Sequence, residues 1–306
     1  MALILFIEQL LNGIQFGIML FLISAGLTLI FGVMGLINLA HGSFYMIGAF
    51  AASIVAGLTG SFWIALAASL CAAAIAGVLI EVLIIKHLYK RDHLDQVLAT
   101  FALILLLSEG VRWLFGAFPL YLNIPSSLDG SILLPFNIMY SKYRMFIILI
   151  GILIALGLYF LISKTRLGIR IRAGQNDREM ISALGVDISK LYTIVFAIGA
   201  ALAGLAGAMI GAIQSIEVGM GEPVLILAFV VIVIGGIGSI KGAFIGSILV
   251  GVTDTIGRVF LPNFLNYFME SSNASSLGSS IGSMLIYILM ASVLLLKPSG
   301  LFGKSE

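Results

Sequence analysis

Charge is scarce in this chain of 306 residues: Lys, Arg, Asp and Glu together make up 10%, against roughly 25% in a soluble domain. Cysteine is scarcer still. The single Cys71 rules out an intramolecular disulfide and with it a disulfide-stapled secreted domain. It lies inside an apolar run and reads as a packing residue. A formal net charge of +2 is too small for a nucleic-acid binder. Histidine is rare, and His41, His87 and His93 share no i,i+4 helical face, so no metal site is expected. No Ser-His-Asp set stands in a strand-turn-helix context. What the chain has in excess is apolar residues, at 61%, with 35 glycines besides. A mean hydropathy of +1.18 leaves too little polar surface to cover a water-facing sphere, and too few polar residues for a disordered chain. The expected fold is all-α: a polytopic membrane helix bundle of about eight or nine transmembrane segments, some of them broken by glycine.

A span needs about 20 apolar residues to cross roughly 30 Å of hydrocarbon. The apolar runs predict spans at 9–34, 39–57, 62–85, 95–115, 145–163, 191–213, 223–240 and 281–296, with 243–260 as a ninth. Glycine-rich stretches at 34–43 and 235–243 interrupt them. All six prolines are expected at segment edges or in loops, where they break no helix hydrogen bond. The N-terminus lacks the positive region of a signal peptide and reads as part of the first span. Twelve of the sixteen Lys and Arg fall on one side if the loops holding Lys86, Lys90 and Arg91, and Lys164 to Lys190, are cytoplasmic with Lys241, Lys297 and Lys304. Arg112, Lys142, Arg144 and Arg258 are then outside. The positive-inside rule and nine spans put the N-terminus outside and the C-terminus in the cytoplasm. The largest external loops are 116–143 and a serine-rich 261–280.

Gly235 to Gly242 (GGIGSIKG) resembles a phosphate loop but lacks its spacing, so this chain is not expected to bind ATP. The pairs Gly13/Gly17, Gly242/Gly246 and the Ala203/Gly207/Gly211 row let helix backbones approach closely. Ionisable residues at membrane depth are functional candidates: Glu8, His41, Glu81, Glu109, Glu222 and Asp254. Glu8, Glu109 and Glu222 fall near span ends, and Glu81, one turn before Lys86, reads as interfacial. His41 and Asp254 stand out, either as parts of a polar route or as groups satisfied by a neighbouring helix.

The polar insert 164–190, KTRLGIRIRAGQNDREMISALGVDISK, predicts a short amphipathic helix. Asn176 followed by Glu179 resembles a capping box. Met180, Ile181, Ala183 and Leu184 form one apolar face, and Gly185 stops the helix. Such a helix either lies on headgroups or docks into a partner groove. Acidic Asp177 and Glu179 favour a protein partner over an anionic membrane.

Four separated stretches resemble one family: GLTLIFGVMGLINLAHGSFYMIGAF (26–50), RLGIRIRAGQNDREMISALGVDISKLYTIVFAIGAALAGLAGAMIG (166–211), AFVVIVIGGIGSIKGAFIGSILVG (228–251) and LLKPSGLFG (295–303). They are similar to the branched-chain amino acid ABC transporter permeases of the LivH type, over nearly the whole chain except 115–143. The resemblance implies a single permease domain over 1–306 and no enzymatic activity in this chain. It implies a second homologous (LivM-type) permease, two cytoplasmic ATPases that bind ATP and Mg, and a periplasmic binding protein. Residues 164–190 correspond to the coupling loop. Its E-A-A-x-x-x-G pattern reads Glu179-Met180-Ile181-Ser182-Ala183-Leu184-Gly185 here and lacks the usual I-x-L-P tail. Coupling is expected to involve Arg170, Arg172, Asp177, Glu179, Ala183, Leu184 and Gly185. The translocation path is expected at Asn38, His41 and Asp254, with free backbone groups of the breaks 35–42 and 235–242 lining it. Leu, Ile and Val are the expected solutes, with amides, urea or aromatic acids as alternatives. A proton-driven secondary transporter using Asp254, Glu81 or His41 is the competing class, although such a carrier has no need of the 164–190 insert.

Overall fold

The computed structural model describes residues 2–303, less the side chains of Ala2, Phe136 and Arg178. Lys304, assigned above to the cytoplasmic tail, lies outside the described residues. In chain order the helices are α1 (Ala2–Met34), α2 (His41–Thr59), α3 (Phe62–Ile80), which runs through a π-helical turn (Glu81–Ile85) into α4 (Lys86–Leu88), and α5 (His93–Phe115). A hairpin of β1 (Ser131–Leu134) and β2 (Ile138–Ser141) pairs Ser131 with Ser141 and Leu134 with Ile138. Then follow α6 (Lys142–Lys164), α7 (Arg166–Asn176), α8 (Arg178–Ala183), α9 (Ile188–Ile210), α10 (Gly221–Gly235), α11 (Ile240–Leu265) and α12 (Ser271–Leu296). Among the described residues eight helices are long and apolar enough to cross a membrane. They make an all-α, multi-pass bundle.

The chain divides into two compact units. One holds residues 22–125 and 153–228, the other 1–21, 126–152 and 229–306. In the first unit α9 is central, and Leu202 to Ile210 are all buried. Glycines let its neighbours reach its backbone. Gly26 of α1 faces Gly199, Gly48 of α2 faces Gly204, Tyr45 of α2 faces Gly207, and Gly77 of α3 faces Ala200. Phe44 and Phe196 pack edge to face at 5.7 Å. In the second unit Gly13 and Gly17 of α1 meet the backbone of α11 at Val252 and at Ser247–Ile248. The small-residue rows therefore do bring helices together, as lipid-embedded packing requires.

Several expected boundaries shift. The predicted span 223–240 is α10, 15 residues long, or about 22 Å at 1.5 Å per residue, short of the bilayer core. Gly236, at φ +97°, takes the chain out of the helix. The serine-rich stretch is not a long loop, because α12 begins at Ser271. Its hydroxyls turn back onto their own helix, as in Ser279 to Ser275 O (2.8 Å), Ser280 to Ser276 O (2.9 Å) and Ser283 to Ser279 O (2.9 Å). That bonding makes serine tolerable in an apolar setting. Pro262 lies inside α11 rather than at an edge, and Gly278 of α12 packs against its ring nitrogen. Cys71 is exposed, on the outer face of α3 rather than in packing.

Candidate functional site

The break after α1 starts at Gly35, at φ +64°. Asn38 then shapes the entry to α2. Its Oδ1 accepts from Ala40 N–H at 3.0 Å, and its carbonyl accepts from His41 N–H at 3.3 Å. The His41 ring turns back to α1, with Nε2 3.2 Å from the carbonyl oxygen of Ile23. A carbonyl cannot donate, so Nε2 carries the hydrogen and Nδ1 is left as an acceptor. Among the described residues six buried side-chain polar atoms find no hydrogen-bond partner in the protein, and four lie in this stretch: Ser24 Oγ, Thr28 Oγ1, Asn38 Nδ2 and His41 Nδ1. All four residues are at most 1% exposed. An unpaired buried polar group costs about 1–3 kcal/mol, so such a concentration calls for a reason. Ser24 and Thr28 escaped the sequence reading because a hydroxyl in an apolar helix normally satisfies itself on the preceding turn, and nothing in the sequence says that these two do not.

The end of α9 is tied to the far end of α2 through the chain around Tyr121. Ser53 Oγ of α2 donates to Tyr121 O at 3.0 Å, and Leu122 N–H donates to Gly211 O at 3.1 Å. Leu120 and Ile216 bond to each other through both backbones, at 3.0 and 2.8 Å. The chain then runs back along α2. Gly219 N–H reaches Met46 Sδ at 3.3 Å, and Gly221 opens α10 against the backbone of Gly42. A return made largely of turns and a short helix thus stand where the span 223–240 was expected, beginning one residue from His41.

Asp254 belongs to the other unit. Its two oxygens each lie 2.9 Å from Arg258 Nε on the next turn of α11. The side chain is 10% exposed, and this local i,i+4 pair satisfies it. The second glycine break, 236–239, is also occupied. Leu301 N–H donates to Ile234 O at 2.8 Å and Phe302 N–H to Gly235 O at 2.9 Å. Ser239 Oγ takes Gly242 N–H at 3.1 Å. The C-terminal turn therefore caps α10, and these carbonyls are not free to line a route.

The insert folds as two helices. Thr165 caps α7 through Gly168 N–H at 3.1 Å, and Gly168 lies on the carbonyls of Leu161 and Ile162. Ile171 and Gly174 face inward while Arg170 and Arg172 are exposed. The cap of α8 is Asp177, whose Oδ1 accepts from Met180 N–H at 2.9 Å. Asn176 ends α7 instead, because the intervening residue is extended and one helix cannot run through it. The expected apolar face also splits. Ile181 is buried, whereas Met180 (59% exposed), Ala183 and Leu184 (76%) point outward beside exposed Glu179. Gly185, at φ +83°, ends α8 as expected, with Val186 N–H returning to Ile181 O at 3.3 Å. Asp187 caps α9. The Lys190 backbone N–H, at 3.1 Å, and then its ammonium hold that carboxyl below the usual carboxylate range.

Glu81 is fully buried within the protein. Tyr89 OH donates to its Oε1, and Thr193 Oγ1 of α9 lies 2.7 Å from its Oε2. Neither partner was legible, since one is 8 residues away and the other 112. Among the described residues no three His, Cys, Asp or Glu side chains converge as metal ligands would.

A multi-pass bundle of tightly apposed helices, with unsatisfied polar atoms beside a break, is the architecture of a membrane permease. The chain belongs to the family of branched-chain amino acid transport system permease components, which it matches over residues 9–294. It is 30% identical to the high-affinity branched-chain amino acid transport system permease protein BraD of Pseudomonas aeruginosa, over 98% of this chain and 97% of that one. It is 28% identical to the corresponding permease protein LivH of Escherichia coli K12, over 98% and 96%. It is 29% identical to the probable branched-chain amino acid transport permease protein LivH of Methanocaldococcus jannaschii, over 95% and 91%. No solved structure matches it.

Proposed function

We propose that the chain is the membrane-spanning subunit of an ATP-driven importer that carries leucine, isoleucine and valine across the cell membrane of a bacterium or archaeon. It acts as one permease domain over 1–306. It pairs with a second, LivM-type permease and receives solute from a periplasmic binding protein. Two cytoplasmic ATPase subunits, which hold the ATP and Mg, drive it. The observation that carries this reading is the outward face of α8. Met180, Ala183 and Leu184 stand exposed on a short helix capped at both ends, beside Asp177 and Glu179 and after exposed Arg170 and Arg172 of α7. An isolated apolar patch with charged neighbours suits a partner groove, and Gly185 fixes the angle at which it is presented. Burying one such side chain contributes about 1.5–3 kcal/mol, enough to seat a partner only as part of a larger interface.

The N-terminus is external, and 164–190 and the C-terminus are cytoplasmic. The basic residues support this. Asn38 and His41 lie on the solute path, joined by Ser24 and Thr28. Their donors suit a carboxylate, and the bare His41 Nδ1 suits an ammonium. Asp254, paired with Arg258 on α11, is a further candidate for solute contact. The test is reconstitution in proteoliposomes. The complete complex with binding protein accumulates leucine when ATP is supplied, and this chain alone neither hydrolyses ATP nor accumulates solute. Accumulation by the lone chain under a proton gradient overturns the reading in favour of a secondary transporter.

A further inference from the structure

The geometry points to Glu81 as a positioning residue for energy coupling: through Thr193 and Tyr89 it fastens the first turns of α9, which carry α8, to the π-helical end of α3. This rests on the reading of 164–190 as the coupling segment, and extends it to a part of the chain outside that segment.

Three features make Glu81 more than a buried acid. First, its place in the chain is irregular. Lys86 N–H returns to Glu81 O across five residues, a π-helical turn in an otherwise α-helical rod from Phe62 to Leu88. Such turns are rare and frequent at functional positions. Second, each oxygen takes a hydroxyl from a different element. Tyr89 comes from the turn beyond α4, and Thr193 from the second turn of α9. Burial, and then the bond to Glu81, raise the Tyr89 phenol above its ordinary value, so it stays a donor. The Tyr89 ring also packs edge on against Tyr192, the residue before Thr193, at 4.9 Å. Third, the turn beyond α4 is itself held. Gln96 Nε2 of α5 donates to Leu88 O and Arg91 O, each at 3.1 Å.

The mechanical consequence follows from the chain path. Only 184–187 separate α8 from α9, and the link is short-range: Val186 bonds back to Ile181, and Asp187 caps α9. A displacement of α8 therefore reaches the start of α9 with little slack. α9 already packs on α3 further along, at Ala200 against Gly77. Glu81 adds a polar tie at the first turns of α9, so that the start of α9, the end of α3 and the turn after α4 move together. A buried carboxyl bonded on both sides transmits displacement because leaving either of its oxygens without a donor in an apolar setting is costly; the Thr193 hydroxyl itself has a second acceptor in Ser189 O at 3.1 Å.

The experiment uses the whole complex in proteoliposomes, with uptake per ATP hydrolysed as readout. Thr193→Val and Tyr89→Phe each remove one hydroxyl and keep the shape, and Glu81→Gln removes the charge. Each is expected to leave ATP hydrolysis running while uptake per ATP falls roughly tenfold, the scale of one lost hydrogen bond to a charged group. Thr193→Ser, which keeps the hydroxyl, should retain the wild-type ratio, and Tyr89→Phe with Thr193→Val should be no worse than Glu81→Ala. An unchanged ratio, with hydrolysis and uptake falling in step, marks a merely structural role and overturns the proposal. If the wild-type complex itself shows no ATP-dependent uptake, the coupling reading fails first and takes this one with it.

Discussion

Gly42 and Gly221 meet backbone to backbone. A Cβ built on Gly42 falls 2.5 Å from the carbonyl oxygen of Gly221, and one on Gly221 collides with Gly42 in turn. The contact fixes where α10 begins, one residue from His41. Gly42→Ala and Gly221→Ala should each destabilise the protein by about 1–3 kcal/mol, the range for overpacking a close contact, and lower leucine uptake. Gly57→Ala is the control, since nothing lies within 4 Å of its Cβ position. Its melting temperature in detergent should match or slightly exceed that of the parent. Equal stability and uptake for all three would show that the apposition is dispensable.

Orientation is tested with cysteines. Cys71 is exposed, so it is first replaced by Ser. Ser127→Cys and Gln175→Cys lie on exposed loop and helix positions. An impermeant thiol reagent applied to intact cells should label the first and not the second. Labelling at position 175 alone would invert the topology.

The α8 patch makes a third prediction. Glu179→Lys leaves the bundle untouched, because the side chain is exposed, yet it places a positive charge in the first turn, where the helix dipole disfavours it. Gly185→Pro forces φ to about −65°, where the chain has +83°. Both variants should reach the membrane in normal amount and abolish ATP-dependent uptake. Ile181→Ala differs: it empties a buried site at 4% exposure and should lower stability by about 2–5 kcal/mol. Normal uptake by both of the first two would remove α8 from the mechanism.

The helices and the 34–43 break were legible because apolar runs and glycine carry their meaning locally. Gly35 needs only its own φ, and Gly13 and Gly17 need only their spacing. The insert was half legible. Gly185 was read correctly, but the cap moved from Asn176 to Asp177 and the apolar face divided around Ile181, since which side faces the bundle depends on α9. The serines of 271–283 looked like a loop because composition does not reveal hydroxyls folded back onto carbonyls. Glu81 was legible as a charge and not as a junction. Its partners converge only once α3 and α9 pack, and Gly77 against Ala200 is what brings them together.

The unsatisfied hydroxyls give the sharpest contrast. Thr28 Oγ1 and Ser24 Oγ have no partner in the protein and are at most 1% exposed. Thr28→Val keeps the branched shape and removes the hydroxyl, and Ser24→Ala removes the other. If these atoms served only structure, their loss would relieve about 1–3 kcal/mol of unpaired polar burial each and leave transport alone. On a solute path they are kept for the moment when a carboxylate passes and takes their hydrogens. Both variants are therefore expected to melt at or above the parent temperature while leucine uptake by the complex falls several-fold, with the double variant more stable and less active than either. His41→Ala and Asn38→Ala should also lower uptake. Stability is expected to drop for Asn38→Ala, because Asn38 Oδ1 holds the Ala40 amide. Higher stability with unchanged uptake in Thr28→Val would take the hydroxyls off the path.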